Sequence, residues 1–273
     1  MAISPVALIR ASHPQPAVAV TTVTALLAAA AGRPAGGVVA AAVAVLTSQL
    51  ATGWHNDWLD ADRDTAAGRR DKPIATGAIG RSTVGVAALV AAVLVVPLAL
   101  LSGWPAAAAA AVGIGGSLSY NAFFKFTPLS VLPYAVSFAT LPAFVFLGAG
   151  STPTWWLLAA GATLGSGAHF ANVVPDLADD AKTGVRGLPH RLGPVGSLVA
   201  AATLLTATTA LLAFGPPGPP SPVSLIGFAG AVAVLAAGGY AQRRRPASDV
   251  AFHTVMAVAV IDVGLLIAAG SVA

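Results

Sequence analysis

The chain has 273 residues, of which 56% are apolar and only 9% are charged. Soluble globular domains carry about 25% charged residues, so this composition excludes that class and predicts an all-α, polytopic membrane protein. The absence of cysteine excludes disulfides and thiolate metal sites. A net charge of +4 would suit nucleic acid as a partner, but the positions of the basic residues favour a membrane explanation instead.

Nine apolar stretches are predicted to cross the membrane, because a bilayer core about 30 Å thick needs roughly 20 apolar residues per helix. No soluble domain interrupts the series, so residues 1–273 are predicted to form a single transmembrane domain. Arg10, His13 and Pro14 interrupt the N-terminal segment, and no cleavable signal peptide is therefore expected. The predicted spans cover residues 16–31, 37–55, 82–101, 106–120, 129–147, 155–174, 195–214, 223–240 and 250–269.

The basic residues are distributed unevenly between the two sides of the predicted bundle. If the N-terminus lies inside, thirteen of the fourteen Lys and Arg residues fall in cytoplasmic segments, and only Arg33 falls outside. This asymmetry satisfies the positive-inside rule and predicts a protein of a bacterial-type cell membrane. The run of arginines at 243–245 is expected to contact lipid headgroups. Ser248 or Asp249 is predicted to cap the N-terminus of the last span.

The first acidic cluster lies in residues 56–64, NDWLDADRD, directly after the apolar run of the second span. If that helix continues, Asn56, Asp60 and Asp64 share one face at positions i, i+4 and i+8. Asp57 lies beside this face. Because neighbouring carboxylates repel each other, a cation is expected to bind there, and oxygen-rich clusters suit hard ions such as Mg²⁺.

A second acidic cluster follows the sixth span, where residues 172–193 read NVVPDLADDAKTGVRGLPHRLG. Basic residues follow both clusters. Carboxylates with Lys and Arg nearby suggest Mg²⁺ shared with a phosphate-bearing ligand. The polar residues of the second cluster are Asn172, Asp176, Asp179 and Asp180. The basic residues are Arg69, Arg70 and Lys72 after the first cluster, and Lys182, Arg186 and Arg191 after the second.

The two clusters together suggest a site for a diphosphate whose apolar tail lies among the helices. On this topology both clusters lie at the cytoplasmic face. Mg²⁺ and Arg would stabilise the charge of a departing diphosphate, so an allylic C–O bond would ionise in a shielded pocket.

These motifs resemble the two signatures of the UbiA-type intramembrane prenyltransferases. The first signature, NDxxDxxxD, is matched by residues 56–64, and its continuation is similar to residues 72–77, KPIATG. Lys72 replaces the Arg that is usual in the family, which keeps the charge and loses the bidentate geometry. The second signature is matched at Asn172, Asp176, Asp179 or Asp180, Gly184, Arg186, Leu188, Pro189, Leu192 and Gly193.

The resemblance implies nine helices around a lipid-facing cavity and two Mg²⁺ ions that bridge an isoprenoid diphosphate. It implies that Lys72 and Arg186 hold phosphate, while Tyr120 and Lys125 resemble a Tyr and a basic residue that follow the fourth span in the family. The implied ligands of the first Mg²⁺–diphosphate site are Asn56, Asp57, Asp60 and Asp64. Those of the second are Asp176 and Asp180, with Asp179 as the alternative to Asp180.

The leading functional hypothesis is a Mg²⁺-dependent transferase that passes the prenyl group to an aromatic, quinone-precursor or other lipophilic acceptor. The alternative is a terpene cyclase, in which a double bond of the substrate itself attacks and no acceptor is needed. A transporter is disfavoured because both clusters lie on one face, whereas carrier sites are expected near the midplane. His169, His55 and Asp262 are further candidates for a role in the cavity.

Overall fold

The computed structural model describes residues 4–182, 184–245, 248 and 250–268, without the side chains of residues 178, 179 and 182. Asp249, one of the two predicted caps, and the last residue of the ninth predicted span lie outside this range. Every regular element in the described ranges is helical. The α-helices are α1 (Pro5–Ala11), α2 (Pro14–Ala30), α3 (Ala35–Ala66), α4 (Arg81–Leu100), α5 (Trp104–Ala122), α6 (Val131–Leu147), α7 (Trp155–Val173), α8 (Leu177–Lys182), α9 (Leu188–Phe214), α10 (Pro222–Arg244) and α11 (Val250–Ala268).

Six segments of the described chain are long and apolar enough to cross a membrane: α3, α4, α7 with the turn that follows it, α9, α10 and α11. The other three predicted spans coincide with α2, α5 and α6. α2 and α6 are apolar but have only 17 residues each, and α5 is largely Ala, Gly and Ser, which are weakly apolar. The all-helical prediction is therefore confirmed, whereas a count of nine spans is not.

The first acidic cluster is helical, as predicted. α3 does not stop at the membrane end but continues to Ala66, so residues 56–64 form its last turns. The second cluster is built differently. α7 ends at Val173, a 3-10 turn covers Val174–Asp176, and α8 then carries the remaining acidic residues. The acidic residues of the second cluster therefore lie on two short elements, the 3-10 turn and α8.

Small residues allow the helices to approach closely, as is common between membrane helices. A Cβ added to Gly161 or Gly165 of α7 would lie 2.5 Å from Phe138 of α6. A Cβ on Gly53 of α3 would lie 2.3 Å from the carbonyl oxygen of Ser12. That second contact seats the N-terminal segment directly on α3. α1 itself packs Ala7 and Ala11 against Ile79 and Val84 beside α4.

Gly193 explains why the seventh predicted span begins at residue 195. Its φ of 67° lies in the left-handed region that favours glycine, and it interrupts α9 just before Pro194. The five residues before the kink form a short helical segment at the start of α9, and the apolar part of α9 begins after it.

Arg33, the one basic residue predicted on the outer side, is buried rather than exposed to headgroups. Its Nη2 donates a hydrogen bond of 2.6 Å to Ser102 Oγ, and its Nη1 packs against Gly148. These neighbours follow the C-termini of α4 and α6, and Arg33 itself follows α2. The guanidinium therefore lies where the negative ends of three helix dipoles meet.

Candidate active site

A cavity of about 640 Å³ lies between α2, α3, α5, α6 and α7 and brings the two acidic clusters to one wall. Polar and charged groups line one part of it, and aromatic and small residues line the rest. The predicted site residues on its wall are Asn56, Asp60, Asp64, Lys72, Tyr120, Lys125, Asn172, Asp176 and Asp180. Arg63, Arg69 and Asp71 also line it.

Asp60 is the most heavily hydrogen-bonded carboxylate of the site, and it is only 6% exposed. Its Oδ2 accepts hydrogen bonds from Asn56 Nδ2 at 3.0 Å and from Arg63 Nη2 at 2.6 Å. Its Oδ1 forms an ion pair with Lys125 Nζ. Lys125 comes from the 3-10 turn after α5, and burial lowers the pKa of its ammonium although Asp60 opposes the change. The structure thus places Lys125 directly beside the first cluster.

Asp57 is held on the other side of α3, away from the cavity. It is 1% exposed, and its Oδ1 accepts hydrogen bonds from Lys72 Nζ at 2.7 Å and from His13 Nε2 at 2.9 Å. Its Oδ2 is buried and has no partner among the described residues. The structure thus pairs Asp57 with Lys72 and His13 and does not place it on the wall of the cavity.

His13 is a residue of the site that sequence reasoning missed. It joins α1 to α2 with a φ of 54°, a conformation that residues other than glycine rarely adopt. Its Nε2 also lies 3.1 Å from Lys72 Nζ. The sequence around His13 did not indicate that it would bind Asp57, because the two residues are far apart in the sequence and meet only in the folded protein.

Asp64 faces the cavity one turn beyond Asp60 and is nearly buried. Among the residues that the structure describes, no Lys, Arg or His lies within ion-pair distance of its carboxylate. A buried carboxylate without such a partner is costly unless a cation joins it. Asp64 is therefore the member of the first cluster that is best placed to accept a metal.

The second cluster lines the same cavity as the first. Arg69, in the loop after α3, donates from Nη1 to Asp176 Oδ1 at 3.5 Å and makes two shorter bonds to Asp71, of 2.9 and 2.8 Å. Asp180 lies 3.4 Å from His190 Nε2, and burial together with Asp176 raises the pKa of its carboxyl group. The side chain of Asp179 lies outside the description, so the choice between Asp179 and Asp180 stays open.

Four other predicted residues, Arg186, His55, His169 and Asp262, lie away from the cavity wall. Arg186 is exposed and does not line the cavity. His169 is 1% exposed, accepts or donates a hydrogen bond of 3.0 Å with Ser130, and stacks on Tyr134 at a centroid distance of 4.6 Å. Asp262 is buried in α11, outside the cavity.

The chemistry of the donor set fits Mg²⁺ shared with a ligand. No group of three carboxylate or imidazole side chains converges as a complete metal centre in the described part of the chain. Mg²⁺ needs only one or two protein carboxylates when phosphate oxygens and waters supply the rest. Asp64, Asp176 and Asp180 offer such carboxylates on the cavity wall, and the buried carboxylate of Asp64, which has no ion-pair partner among the described residues, fits a ligand of that ion.

Comparisons with known proteins agree with this geometry. The model of the UbiA prenyltransferase family matches residues 18–261. A UbiA homolog from Archaeoglobus fulgidus bound to GPP and Mg²⁺ has a TM-score of 0.74 at 15% identity, over 97% of this chain and 100% of that one. A UbiA homolog from Aeropyrum pernix K1 has a TM-score of 0.71 at 19% identity, over 93% and 98% of the two chains.

A digeranylgeranylglyceryl phosphate synthase is similar in fold, with a TM-score of 0.64 at 18% identity over 96% of this chain and 94% of that one. A search of curated proteins finds no sequence match. The solved structures establish the fold, and the family match covers most of the sequence. The chain is thus an integral membrane protein, and it belongs to the UbiA prenyltransferase family.

Proposed function

We propose that the protein is a Mg²⁺-dependent intramembrane prenyltransferase that ionises an isoprenoid diphosphate and transfers the prenyl group to a lipophilic or aromatic acceptor. The observation that supports this proposal is the meeting of both acidic clusters, with interleaved Lys and Arg, on one wall of a single cavity. The relatives bound to GPP or DMAPP with Mg²⁺ support the same class of substrate.

The cations on the cavity wall would hold the diphosphate oxygens. Lys72 and Lys125 point their ammonium groups toward the first cluster, and Arg69 reaches from the loop after α3 to the second. Arg63 Nη1 is buried without an acceptor in the described residues. An unsatisfied guanidinium N–H beside the cavity supplies a donor for a phosphate oxygen.

Asp64, Asp176 and Asp180 would hold Mg²⁺, and two ions are proposed because two separate acidic clusters line the cavity. When bound, the metal neutralises charge that develops on the leaving diphosphate. Asp60 would have a different role, because its carboxylate already accepts hydrogen bonds from three protein donors. It orients Lys125 and Arg63 at the place where the phosphates would bind.

The aromatic wall would shield the reacting carbon from water. Tyr120 and Tyr134 meet edge to face at 4.8 Å, and both line the cavity together with Phe138. Ionisation breaks the allylic C–O bond, and the two electrons leave with the diphosphate. The acceptor nucleophile then forms a bond to the allylic carbon and releases its proton. Aromatic faces favour the intervening positive charge.

The topology belongs to the same proposal. Nine spans, with α2, α5 and α6 crossing beside the six longer segments, would place the acidic clusters at one membrane face. The positive-inside asymmetry supports the cytoplasmic face of a bacterial-type cell membrane. The prenyl tail and the acceptor would enter from the lipid phase, and membrane lipid would surround the bundle.

The test is an assay of the purified protein in detergent with isoprenoid diphosphates, with and without Mg²⁺, first alone and then with aromatic, quinone-precursor and lipid acceptors. Mass spectrometry of the extracted products should show Mg²⁺-dependent prenylation that Asp176→Asn abolishes. Asp62→Asn is the matched control, because Asp62 lies within the same motif but is 86% exposed and pairs with Arg81. A cyclic terpene formed without an acceptor would instead identify a terpene cyclase.

A further inference from the structure

A second cavity of about 50 Å³ lies beyond the deep end of the main one, between α3, α4, α5 and α6. Four residues line both cavities: Gln49, Ser117, Ser137 and Phe138. We call this group the deep ring. It forms the wall between the two spaces.

The deep ring is held in place by contacts between helices. Ser117 Oγ donates to Ser137 Oγ at 3.3 Å, and Ser137 Oγ donates to the carbonyl oxygen of Gly113 at 2.9 Å. Phe138 packs on Gly165, where a Cβ would lie 2.5 Å from the Phe138 side chain. Its ring lies nearly parallel to that of Tyr134, at an interplanar angle of 15°. Because of these contacts, the deep ring cannot widen unless α5, α6 or α7 moves.

The deep ring is also chemically unlike the tail that would approach it. The amide of Gln49 lines a space that an isoprenoid would fill with methyl and methylene groups, whereas the hydroxyls of Ser117 and Ser137 already have hydrogen-bond partners within the protein. Displacing hydration from an amide without replacing its hydrogen bonds is costly. Size and polarity therefore both oppose passage of an apolar chain.

The distance from the acidic cluster to this wall can be read along α3. Gln49 precedes Asn56 by seven positions on the same continuous helix, which is a rise of about 10 Å at 1.5 Å per residue. An extended isoprene unit spans roughly 5 Å, since its four backbone carbons are joined by bonds of about 1.5 Å. The space between the two levels therefore accommodates about two such units.

We propose that the deep ring is the floor of the tail cavity and limits the substrate to a short isoprenoid diphosphate of about two isoprene units. The inference rests on the proposed function, in which the phosphates bind where Asp60 orients Lys125 and Arg63, and it takes the first tail carbon to lie one helical turn away, near Asn56. Phe138 is the specificity-determining residue, because its ring is the largest group of the wall and closes the second cavity.

The test measures the preference of the purified protein in an equimolar mixture of dimethylallyl, geranyl, farnesyl and geranylgeranyl diphosphates with Mg²⁺. Release of diphosphate and the prenyl products are followed by mass spectrometry. Wild type should use geranyl diphosphate at least about ten-fold better than geranylgeranyl diphosphate, in line with the discrimination that a closed apolar pocket achieves. Phe138→Ala should shift this ratio toward the longer chains by about ten-fold.

A paired variant tests the route of the tail. Ala110→Phe fills the second cavity from α5 and should leave the use of geranyl diphosphate by wild type unchanged, because Ala110 lies beyond the floor. In Phe138→Ala/Ala110→Phe the gain for longer chains should disappear. If Phe138→Ala does not fold, Gln49→Ala opens the same wall from α3 and carries the same expectation.

Equal use of geranyl and geranylgeranyl diphosphate by wild type would overturn the inference, since the tail would then leave sideways into the lipid. A folded Phe138→Ala or Gln49→Ala variant with an unchanged ratio would also overturn it. The proposed function would survive both results. Absence of turnover with every diphosphate, even when aromatic, quinone-precursor and lipid acceptors are supplied, would contradict the proposed function itself, and the limit on tail length with it.

Discussion

The two acidic clusters differ in how their charge is compensated. In the first, Asp57 and Asp60 are almost fully buried and are already paired with Lys72 and Lys125. In the second, the side chain of Asp176 is 47% exposed, and its described cation, Arg69, comes from the other cluster's loop at 3.5 Å. Asp57 and Asp60 are therefore compensated within the protein, whereas Asp64 and Asp176 leave room for a bound cation.

This difference indicates a division of labour. Buried ion pairs rarely add net stability, because desolvation offsets their attraction. Removing one partner of such a pair, however, strongly destabilises the folded protein, because it leaves the other charge buried and unpaired. The first cluster thus fixes the positions of cations before any ligand arrives. The second has room to adjust around a metal and a diphosphate. Substitutions in the first cluster should therefore mainly lower the free energy of unfolding, and substitutions in the second should mainly lower activity.

The largest effect on stability is expected from Asp60→Ala, which leaves Lys125 buried and uncompensated and removes an acceptor of Arg63. We expect a loss of about 3–5 kcal/mol in the free energy of unfolding. Denaturant titration in detergent would measure it. Asp60→Asn/Lys125→Met removes both charges and should recover much of the loss. Wild-type stability of Asp60→Ala would show that the pair is not buried in the folded protein.

Asp176→Asn should have the opposite profile. Because its carboxylate is half-exposed and its contact with Arg69 is long, the free energy of unfolding should change by less than about 1 kcal/mol. Turnover should nevertheless fall by roughly 10²–10³-fold, since a group that would stabilise the leaving charge is lost. Steady-state kinetics at several Mg²⁺ concentrations would measure this. If Asp176→Asn lost as much stability as Asp60→Ala, the proposed difference between the two acidic clusters would be contradicted.

His13→Ala should weaken the first cluster modestly. The substitution removes one of the two donors to Asp57 and leaves Lys72 in place, so we expect a loss of about 1–3 kcal/mol in the free energy of unfolding. His13→Asn is the matched variant, because Asn tolerates the left-handed backbone of this position better than Ala. It should therefore be the more stable of the two, and the reverse order would argue against strain at His13.

The smallest effect is expected at Asp71, which is exposed. Its two hydrogen bonds from Arg69 lower the pKa of its carboxyl group to about 2. A lowered pKa stabilises the fold above the unfolded-state value of about 3.9, and this contribution is lost as the pH falls toward 2. Asp71→Asn should cost less than about 1 kcal/mol at neutral pH. Unfolding temperatures of the two proteins should converge below about pH 2, and a difference that persists there would contradict this assignment.

Local rules were sufficient for much of the site. The i, i+4, i+8 spacing predicted the shared face of Asn56, Asp60 and Asp64, and the structure shows all three on the cavity wall. The same geometry explains why Asp57 failed to join them, since one residue turns a helix by about 100°. Which group would neutralise it could not be predicted, because His13 reaches it only through the packing of the N-terminal segment on Gly53.

Long-range packing also decided the other differences. The positive-inside rule assigns Arg33 to the outer side but contains no information that three helix ends would bury it. Motif matching likewise gave Arg186 a phosphate role, whereas the loop before α9 leaves it exposed and off the cavity wall. Sequence spacing specifies which residues share a helix face, and the meeting of different helices specifies which of those faces form the site.

The most direct test is calorimetric binding of geranyl S-thiolodiphosphate, a substrate analogue that resists ionisation, to the purified protein with and without Mg²⁺. If both clusters hold one diphosphate through shared metal, binding should require Mg²⁺, and Asp64→Asn and Asp176→Asn should each abolish it. Mg²⁺ alone should bind weakly. Tight analogue binding without metal, or tight metal binding without the analogue, would contradict a site that two clusters complete together around a diphosphate.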